Sequence, residues 1–249
     1  MRHATNSGAE QNLKTLALFD LDHTILDMDS DYGWCDFLVS RNLVDREWFA
    51  GRNDYFYAQY EAGELDPVEY IGFVGQMFNM LGDDLDNQLN TYVTEVVAPK
   101  IRPQAIEALL AHASSGDQIV VTSATNSVLV SAIVDKVVEL ASKQAGGTDA
   151  LNTPQVLGTL LEHDGKAFTG QIEGTPNFQG GKLVNLKRFI ADHEQGFGAS
   201  VAYSDSFNDL PLLEFADTAY AVTPDARLRA LAEARGWAVL EWGMGDQGA

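Results

Sequence analysis

The sequence predicts an α/β protein: a doubly wound parallel sheet, Rossmann-like, with a small inserted helical cap domain. Short apolar runs alternate with helix-patterned segments through most of the chain, an order typical of a parallel sheet covered by helices. Three of these runs lead directly into acidic or hydroxyl side chains. Residues 27–99 contain only helical patterns and interrupt the alternation, which indicates an insertion.

Five short apolar runs are predicted strands, at residues 16–19, 119–122, 200–203, 218–222 and 237–240. Helical patterns lie between them, at residues 103–113, 126–140, 181–193, 209–215 and 225–234. These elements assign residues 14–26 and 100–245 to an α/β catalytic core and residues 27–99 to a helical cap. Residues 156–174 contain Asp164 and Gly165 between alternating residues, which predicts a hairpin.

The composition is that of an ordinary soluble globular protein, with 45% apolar and 21% charged residues. No apolar run approaches the roughly 20 residues that span a bilayer. The polar N-terminus, residues 1–14, lacks the apolar segment of a signal peptide and is expected to be a tail before the first strand. The single cysteine, Cys35, excludes an internal disulfide. Together these features favour a cytoplasmic location.

The net charge of −20 predicts a surface that repels nucleic acid and anionic membranes, so neither is an expected partner. The same surface repels a phosphate ester. A phosphate site in this chain therefore needs local positive charge from a metal ion, a lysine or backbone N–H groups. An acidic surface also serves solubility, and by itself it indicates no mechanism.

Asp20 and Asp22 belong to the motif DLDHT, which follows the first predicted strand. Carboxylates at this position lie at the carboxyl end of a parallel strand, where open α/β sheets bind ligands. Asp20 is a candidate nucleophile that attacks phosphorus and becomes an aspartyl phosphate. Asp22 is a candidate general acid and base. The alternative interpretation is a polar turn between strand and loop.

Thr122 and Ser123 end the second predicted strand. A hydroxyl and backbone N–H groups at this point hold a phosphate oxygen. Thr122 is the first candidate because it directly follows the apolar run, and a one-residue error would make the residue Ser123. The alternative role for this segment is to cap the helix that begins near Asn126.

Lys182 follows two glycines at a predicted helix start, which brings a positive charge and free N–H groups together. Asp205 and Asp209, in the motif SDSFND, follow the third strand. Hard oxygen ligands of this type suit Mg²⁺, which takes one or two carboxylates and a phosphate and keeps several waters. The alternatives are a solvated helix lysine and a helix cap.

The order of these groups, a carboxylate pair, a hydroxyl, a lysine and a second carboxylate pair, resembles the haloacid dehalogenase superfamily of phosphotransferases. DLDHT is similar to the nucleophile motif of that superfamily, IVVT to its hydroxyl motif and SDSFND to its acidic motif. The helical insertion directly after DLDHT resembles the cap of the phosphoserine-phosphatase-like branch. The resemblance runs from about residue 16 to residue 242, and its most specific parts are DLDHT and YSDSFNDLPLL.

The resemblance implies a Mg²⁺-dependent phosphatase that acts on a small phosphorylated metabolite through an aspartyl phosphate. Asp20 is then the nucleophile and a metal ligand, and Asp205 is a second metal ligand. Asp22 is the general acid and base, and its backbone carbonyl also binds the metal. The lysine and the hydroxyl bind phosphoryl oxygens, and Asp209 supports the metal ligands and the lysine. Dehalogenases of the superfamily do without the second aspartate, so Asp22 favours phosphate chemistry.

One departure from the branch concerns its phosphoserine phosphatases, which carry a cap glutamate for the substrate amine and a cap arginine for its carboxylate. Asp29 stands where that glutamate is expected, but residues 66–75, expected to supply the arginine, contain none. A substrate carboxylate therefore lacks a bidentate partner. Asp29 is the candidate partner of a substrate amine, and Tyr32 and Trp34 are candidates for a flat apolar wall beside it. These groups make histidinol phosphate the leading candidate substrate. The alternative interpretation of both aromatic side chains is that they pack in the core of the cap.

Two other functions stay open at this point. A phosphotransferase that passes the phosphoryl group to an alcohol shares the aspartyl phosphate, and the sequence does not separate it from a hydrolase. A non-catalytic phosphate- or nucleotide-binding module is less well supported, because the first strand-to-helix turn lacks the glycine-rich fingerprint of dinucleotide binders and every group that the chemistry needs is present. The sequence indicates no oligomeric state.

Overall fold

The structure is a computed structural model that describes residues 13–147, 150–193 and 196–244. The predicted N-terminal tail therefore lies outside the described residues apart from its last two. No helix in these ranges is long and apolar enough to cross a membrane. The strands, in chain order, are β1 Thr15–Asp20, β2 Gln118–Asn126, β3 Gln155–Thr159, β4 Leu161–His163, β5 Phe168–Ile172, β6 Ala199–Ser204, β7 Thr218–Val222 and β8 Ala238–Leu240.

The helices alternate with these strands except in one long helical insertion and between β3 and β5, where three strands follow one another without a helix. All five predicted strands and all five predicted core helices are present, with β2 and α6 longer than predicted. The α-helices are α1 Ser30–Ser40, α2 Arg46–Ala62, α3 Pro67–Leu81, α4 Leu85–Tyr92, α5 Pro103–Ser114, α6 Ser127–Gln144, α7 Gly180–Ala191, α8 Leu210–Phe215 and α9 Ala226–Arg235.

Six strands form one parallel sheet in the order β3-β2-β1-β6-β7-β8. β1 lies inside the sheet and is buried along almost its whole length, as expected for a strand with neighbours on both sides and helices on both faces. The chain builds one half of the sheet from β1 outward and then returns to β6 on the other side of β1. The predicted doubly wound α/β fold is confirmed, and the carboxyl ends of β1, β2 and β6 meet at one edge.

The insertion consists of α1 to α4, which confirms the predicted helical cap. Asp29, Asp45 and Asp66 begin its first three helices, and the side chain of each accepts a hydrogen bond from a backbone N–H group of the first turn. An antiparallel bridge between Leu26 and Ile101 joins the two ends of the insertion. This bridge lies next to the cap boundaries proposed from the sequence.

The interior of the cap is aromatic. Trp34 is fully buried and packs against Phe37, Phe78 and Tyr92, with ring centroids 5.7, 6.1 and 5.3 Å away. Tyr92 also donates its hydroxyl to the Ser30 carbonyl over 2.8 Å. Buried rings in edge-on and offset contact stabilise a small helical layer of this kind. Trp34 is therefore part of the cap core, which is the alternative that the sequence offered for it, and it does not form a substrate wall.

The segment 156–174 differs in part from the prediction. β4 and β5 form an antiparallel hairpin around Asp164 and Gly165, as predicted. The residues before it do not belong to this hairpin, because β3 joins the main sheet as a parallel edge strand beside β2. Alternation of exposed and half-buried residues looks alike in both kinds of strand, so the pattern did not separate them.

The hairpin packs against the cap. The side chain of Asn79, on α3, donates to the Phe168 carbonyl over 2.8 Å and accepts from the Phe168 N–H over 2.9 Å. Gly75 and Gly170 approach closely there, since a Cβ built on Gly75 would lie 3.4 Å from the Gly170 Cα. The core thus holds the cap through a small second sheet as well as through the chain connections.

Candidate active site

The turn after β1 brings Asp20 and Asp22 to the carboxyl edge of the sheet. Asp20 ends the strand, and Leu21–Ile25 form a turn that is closed by a hydrogen bond from the Leu26 N–H to the Leu21 carbonyl over 3.0 Å. The backbone angles of Asp22 and His23 inside this turn are not helical. His23 has a left-handed backbone conformation there, with φ of 55°, a conformation that histidine adopts more readily than most residues. The two carboxylates are almost fully buried, at 6% and 9% exposure.

Lys182 contacts two of the predicted carboxylates. Its Nζ lies 2.6 Å from Asp20 Oδ1 and 2.8 Å from Asp209 Oδ2, and all three side chains are buried. The lysine stands in the first turn of α7, where the chain bends tightly. A Cβ on Gly181 would lie 2.0 Å from the Pro176 carbonyl oxygen, so this bend requires glycine.

Asp205 follows β6 and is tied to the turn after β1. Thr24 Oγ1 donates to Asp205 Oδ1 over 3.2 Å and accepts from the Asp205 backbone N–H over 3.0 Å. Ser204 donates its hydroxyl to Asp209 Oδ2 over 2.8 Å. The first and last acidic motifs therefore meet, because β1 and β6 are neighbours in the sheet.

Negative charge exceeds positive charge at this edge. Burial raises the pKa of Asp20 to about 7, against the attraction of Lys182, and repulsion by Asp209 and Asp22 adds to the effect. Burial also raises the pKa of Asp205 well above its ordinary value, with further repulsion from Asp20 and Asp209. Burial lowers the pKa of Lys182, but its two carboxylate partners outweigh this effect and hold the pKa above its usual value. The lysine stays charged, and the cluster favours a further cation or proton.

The predicted magnesium site fits this excess of negative charge. Carboxylate oxygens are the protein ligands that Mg²⁺ prefers, and a divalent cation beside Asp20 and Asp205 would relieve the repulsion that raises their pKa values. No group of three or more His, Cys, Asp or Glu side chains in the described part of the chain is arranged to hold a metal ion. The set of magnesium ligands predicted from the sequence needs only two carboxylates. The Asp22 carbonyl, a phosphate oxygen and waters are its other ligands.

Three hydrogen-bond donors orient the Asp22 carboxylate. The Ser30 backbone N–H donates to Oδ1 over 2.7 Å, and the hydroxyls of Ser123 and Thr125 donate to Oδ2 over 3.0 and 2.9 Å. Two donors come from β2, and one comes from the first residue of cap helix α1. Thr125 was not predicted from the sequence, although the run of hydroxyl residues at the end of this strand was a usable signal.

The two candidate hydroxyls at the end of β2 have different partners. Thr122 Oγ1 accepts a hydrogen bond from Asn177 Nδ2 over 2.9 Å, whereas the Ser123 hydroxyl contacts Asp22. Successive strand residues point to opposite faces of a sheet, so a shift of one residue decides which hydroxyl meets the carboxylate. The geometry therefore favours Ser123 over Thr122 as the hydroxyl of the predicted phosphate site.

Asn177 is a site residue that sequence analysis missed. Its Nδ2 also donates to the carbonyls of Ser123 and Leu157, each over 2.8 Å, and thereby holds the ends of β2 and β3 together. The available signal was its place a few residues before the glycines and lysine at the start of α7.

A cavity between cap and core contains Asp22 and the predicted substrate contact Asp29. Asp29 also caps α1, accepting from the Tyr32 N–H over 2.7 Å. Burial and the nearby Asp22 raise the pKa of Asp29 well above its ordinary value. The described lining residues include no Lys, Arg or His. Tyr32, one of the two rings predicted as an apolar wall, lies at this cavity. The cavity is also lined by Asp31, Asn53, Phe56, Tyr57, Tyr60, Leu65, Tyr70, Ala124 and Thr125.

Comparison with known proteins gives the family. Residues 17–214 match the family model of haloacid dehalogenase-like hydrolases. This chain belongs to that family. The hydrolase is 31% identical over 236 residues to a histidinol-phosphatase of Neisseria meningitidis serogroup C, which covers 92% of this chain and all of the relative. It is 28% identical over 247 residues to a phosphoserine phosphatase of Mycobacterium tuberculosis, which covers 93% of this chain and 72% of that protein. The family and both relatives identify the hydrolase as a phosphoric monoester hydrolase.

Solved structures show the same fold. A protein of unknown function from Bordetella pertussis Tohama I is 33% identical, with a TM-score of 0.77 over 92% of the hydrolase and 99% of that chain. A substrate-bound phosphoserine phosphatase is 16% identical, with a TM-score of 0.56 over 92% of the hydrolase and 93% of that chain. The second likeness concerns the fold alone, including the core and its cap.

Proposed function

We propose that the hydrolase cleaves a small phosphomonoester through a phosphorylated Asp20. The observation that carries the proposal is the 2.6 Å contact between Lys182 and Asp20, buried at the carboxyl edge of the sheet. The lysine holds the nucleophile and brings positive charge to a phosphoryl group on an otherwise acidic protein. Asp20 attacks phosphorus, the ester P–O bond breaks, and the phosphoryl group becomes an aspartyl phosphate.

Asp22 acts as the general acid and base in this proposal. It donates a proton to the leaving oxygen when the ester bond breaks. It then takes a proton from the water that attacks the phosphorus of the aspartyl phosphate, which releases inorganic phosphate and restores the Asp20 carboxylate. The three donors around Asp22 support this role because they hold the carboxylate in one orientation.

Phosphoryl oxygens are bound by Lys182 and by a hydroxyl at the end of β2. Ser123 is the preferred hydroxyl, because it lies 3.0 Å from Asp22 while Thr122 is engaged by Asn177. Asp209 positions Lys182 through its 2.8 Å contact. Removal of Asp209 would therefore affect the reaction through the lysine.

Mg²⁺ is the proposed cofactor, held by the carboxylates of Asp20 and Asp205 and by the Asp22 carbonyl. When bound, it neutralises charge on the phosphoryl group during transfer. The two carboxylates support this assignment because burial raises the pKa of both, with further repulsion from Asp22 and Asp209 on Asp20 and from Asp20 and Asp209 on Asp205.

Histidinol phosphate is the proposed substrate. The cavity beside Asp22 offers the Asp29 carboxylate to an amine, and aromatic side chains to a ring. Its described lining contains no basic residue for a substrate carboxylate, which disfavours phosphoserine. The 31% identity to a histidinol-phosphatase over the whole length of that relative supports the same choice.

Turnover assays with the purified protein test the reaction. Histidinol phosphate, phosphoserine and an aryl phosphate are compared by kcat/KM, with Mg²⁺ and after chelation. We expect turnover to require Mg²⁺, and histidinol phosphate to be preferred over phosphoserine. An added acceptor alcohol separates hydrolysis from transfer, because only a phosphotransferase would make the new ester.

Two substitutions test the assigned roles. Asp20→Asn should abolish turnover and phosphoenzyme formation, because an amide is a far weaker nucleophile. Asp22→Asn should slow turnover by roughly 10²–10⁴-fold, the usual contribution of a general acid. Wild-type activity in Asp20→Asn would mean that another residue is the nucleophile. A cytoplasmic location, and the boundaries 27–99 for the cap and 14–26 with 100–245 for the core, remain predictions.

A further inference from the structure

We propose that Asp31 is a second carboxylate that contacts the substrate, so that the hydrolase selects phosphomonoesters whose leaving group carries two basic nitrogens. This inference deepens the proposed function and rests on it. Asp29 binds one nitrogen and Asp31 binds the other. Asp31 was not predicted as a site residue from the sequence, because its place in the cavity depends on how α1 meets the core.

The position of the cavity assigns it to the leaving group. Asp29 and Asp31 line the same cavity as Asp22. Because Asp22 is the proposed proton donor to the leaving oxygen, the leaving group must lie in the space next to it. Both cap carboxylates therefore face the part of the substrate that differs from one phosphomonoester to another.

Asp31 has no cationic partner among the described residues. It is 9% exposed, and its Oδ1 accepts a hydrogen bond from Asn126 Nδ2 over 3.0 Å. The side chain of Tyr70, which also forms a hydrogen bond with Asp31, is neutral too. Burial and repulsion by Asp22 raise the pKa of Asp31 to about 7. A positively charged substrate group beside Asp31 would supply the missing counter-charge.

The walls of the cavity suit a flat basic group. Phe56, Tyr57, Tyr60 and Tyr70 contribute aromatic rings to its lining. The faces of such rings attract cations and pack well against a planar ring such as imidazole. Aromatic walls and two carboxylates together describe a leaving group that is both planar and basic.

The pair of carboxylates also explains what the cavity rejects. A leaving group with a carboxylate meets repulsion from both Asp29 and Asp31. A single amine satisfies one of them and leaves the other buried without a counter-charge, which is unfavourable. Two basic nitrogens satisfy both carboxylates at once.

Asp31 also links the cap to the core, and the test must separate the two roles. Its partner Asn126 begins α6 by accepting a hydrogen bond from the Leu129 N–H over 3.0 Å. Asp31→Asn keeps an oxygen for Asn126 and removes only the charge. This variant therefore tests recognition and leaves the link in place.

Kinetics on three substrates form the experiment: histidinol phosphate with two basic nitrogens, phosphoethanolamine with one, and p-nitrophenyl phosphate with none. Asp31→Asn should raise KM for histidinol phosphate by about 10- to 100-fold and leave p-nitrophenyl phosphate within about threefold. KM for phosphoethanolamine should stay the same or fall, because the variant removes the carboxylate that a single amine leaves without a counter-charge. Asp29→Asn should weaken both nitrogen-bearing substrates. Asp36→Asn, on the exposed side of the same helix, is the matched control and should change none of them.

Two results would overturn the role of Asp31: an unchanged KM for histidinol phosphate, or equal losses on all three substrates, which would mean that it supports only the fold. Failure of the wild type on every substrate, the aryl phosphate included, would instead contradict the proposed function. Calorimetric titration of histidinol phosphate into Asp20→Asn, with and without Asp31→Asn, then measures binding in the absence of turnover and decides whether Asp31 contributes to it. Equal affinity in these two proteins would overturn the assignment.

Discussion

Asp22 Oδ1 accepts a hydrogen bond from the Ser30 backbone N–H over 2.7 Å, so the carboxylate proposed as proton donor is held by the first residue of the cap. The core supplies the other two donors, from β2. The orientation of Asp22 therefore depends on the position of the cap. A cap that moved away from the core would release one oxygen of the carboxylate, and closure of the cavity would thus be coupled to the proposed proton transfer.

Ser30→Pro should remove this hydrogen bond while preserving α1. Proline is favoured at the first position of a helix, and Asp29 before it already has extended backbone angles, φ −86° and ψ 117°. The proline ring would occupy the place of the donated Ser30 proton and displace the Asp22 carboxylate. We expect kcat on an aryl phosphate to fall at least about tenfold, towards the 10²–10⁴-fold loss of a missing general acid. The thermal unfolding midpoint should stay close to that of the wild type.

Ser30→Ala is the matched control for this prediction. It keeps the backbone N–H and removes a hydroxyl that is buried without a hydrogen-bond partner in the described structure. Its kcat should equal that of the wild type, and its stability should be equal or slightly higher, because an unpaired buried polar group is unfavourable. Equal kcat in Ser30→Pro and Ser30→Ala would show that the bond from the cap does not orient Asp22.

Ser123→Ala and Thr122→Val should separate the two neighbouring hydroxyls at the end of β2. Ser123→Ala removes a donor to Asp22 and the proposed contact with phosphate, so kcat should fall by about 10²-fold, as for other donors to a developing charge. Thr122→Val should leave kcat within about threefold. Asn177 Nδ2 keeps two other acceptors, the carbonyls of Ser123 and Leu157.

Steady-state kinetics at saturating substrate measure both variants of this pair. Thermal unfolding accompanies them, because Ser123 also accepts from the Thr125 N–H over 3.1 Å and its loss leaves that group unpaired. A large loss in Thr122→Val with little change in Ser123→Ala would reverse the assignment and restore the residue that the sequence favoured.

The sequence was sufficient for the parts of the site that lie at strand ends. Asp20, Lys182 and Asp205 stand directly after a strand or at a helix start, and parallel strands bring their carboxyl ends to one edge of the sheet. Their meeting follows from strand order. The cap was predictable for a similar reason, because about 70 residues of helical pattern leave no room for another strand in that segment.

Other contacts depend on geometry that periodicity does not encode. The choice between Thr122 and Ser123 requires the strand register to one residue. Asn177 acts through three acceptors on two strands, and Asp31 meets Asn126 only because α1 packs on the end of β2. Each of these contacts joins residues far apart in the chain and depends on where one particular side chain points.

Lys182→Met should destabilise the fold as well as abolish turnover. It leaves Asp20 and Asp209 buried beside each other with no cation between them. Loss of one partner from a buried ion pair lowers the free energy of unfolding by about 3–5 kcal/mol, which urea titration measures. Lys143→Met is the control. Lys143 is 67% exposed and pairs with Glu139, so its loss should change stability by less than about 1 kcal/mol.

A second substitution tests the cause of that instability. Asp209→Asn in the Lys182→Met protein removes one of the uncompensated carboxylates and should restore part of the lost stability without restoring turnover. If the double variant were less stable than Lys182→Met, repulsion between carboxylates would not be the cause, and the lysine would act mainly through packing of its side chain.

The last prediction concerns the pH dependence of stability at Asp31. Burial raises the pKa of Asp31 from 3.8 to about 7 in the folded chain. Between these two pH values the folded state holds the proton and the unfolded state does not, so the free energy of unfolding falls as pH rises. Asp31→Asn removes this contribution. Between pH 5 and pH 8, without metal, its free energy of unfolding should fall less than that of the wild type, by roughly 1–3 kcal/mol.

Urea titrations at the two pH values measure this difference. The other buried carboxylates are present in both proteins. Asp31 also raises the pKa of Asp29, so the loss of its charge reduces the Asp29 contribution to the pH slope in the same direction. Asp135→Asn changes an exposed carboxylate on α6 and should keep the wild-type slope. If Asp31→Asn also kept the wild-type pH slope, Asp31 would ionise in the folded chain much as it does in the unfolded chain. The cavity would then hold a stable negative charge without a partner, and the need for a second basic nitrogen would lose its electrostatic basis.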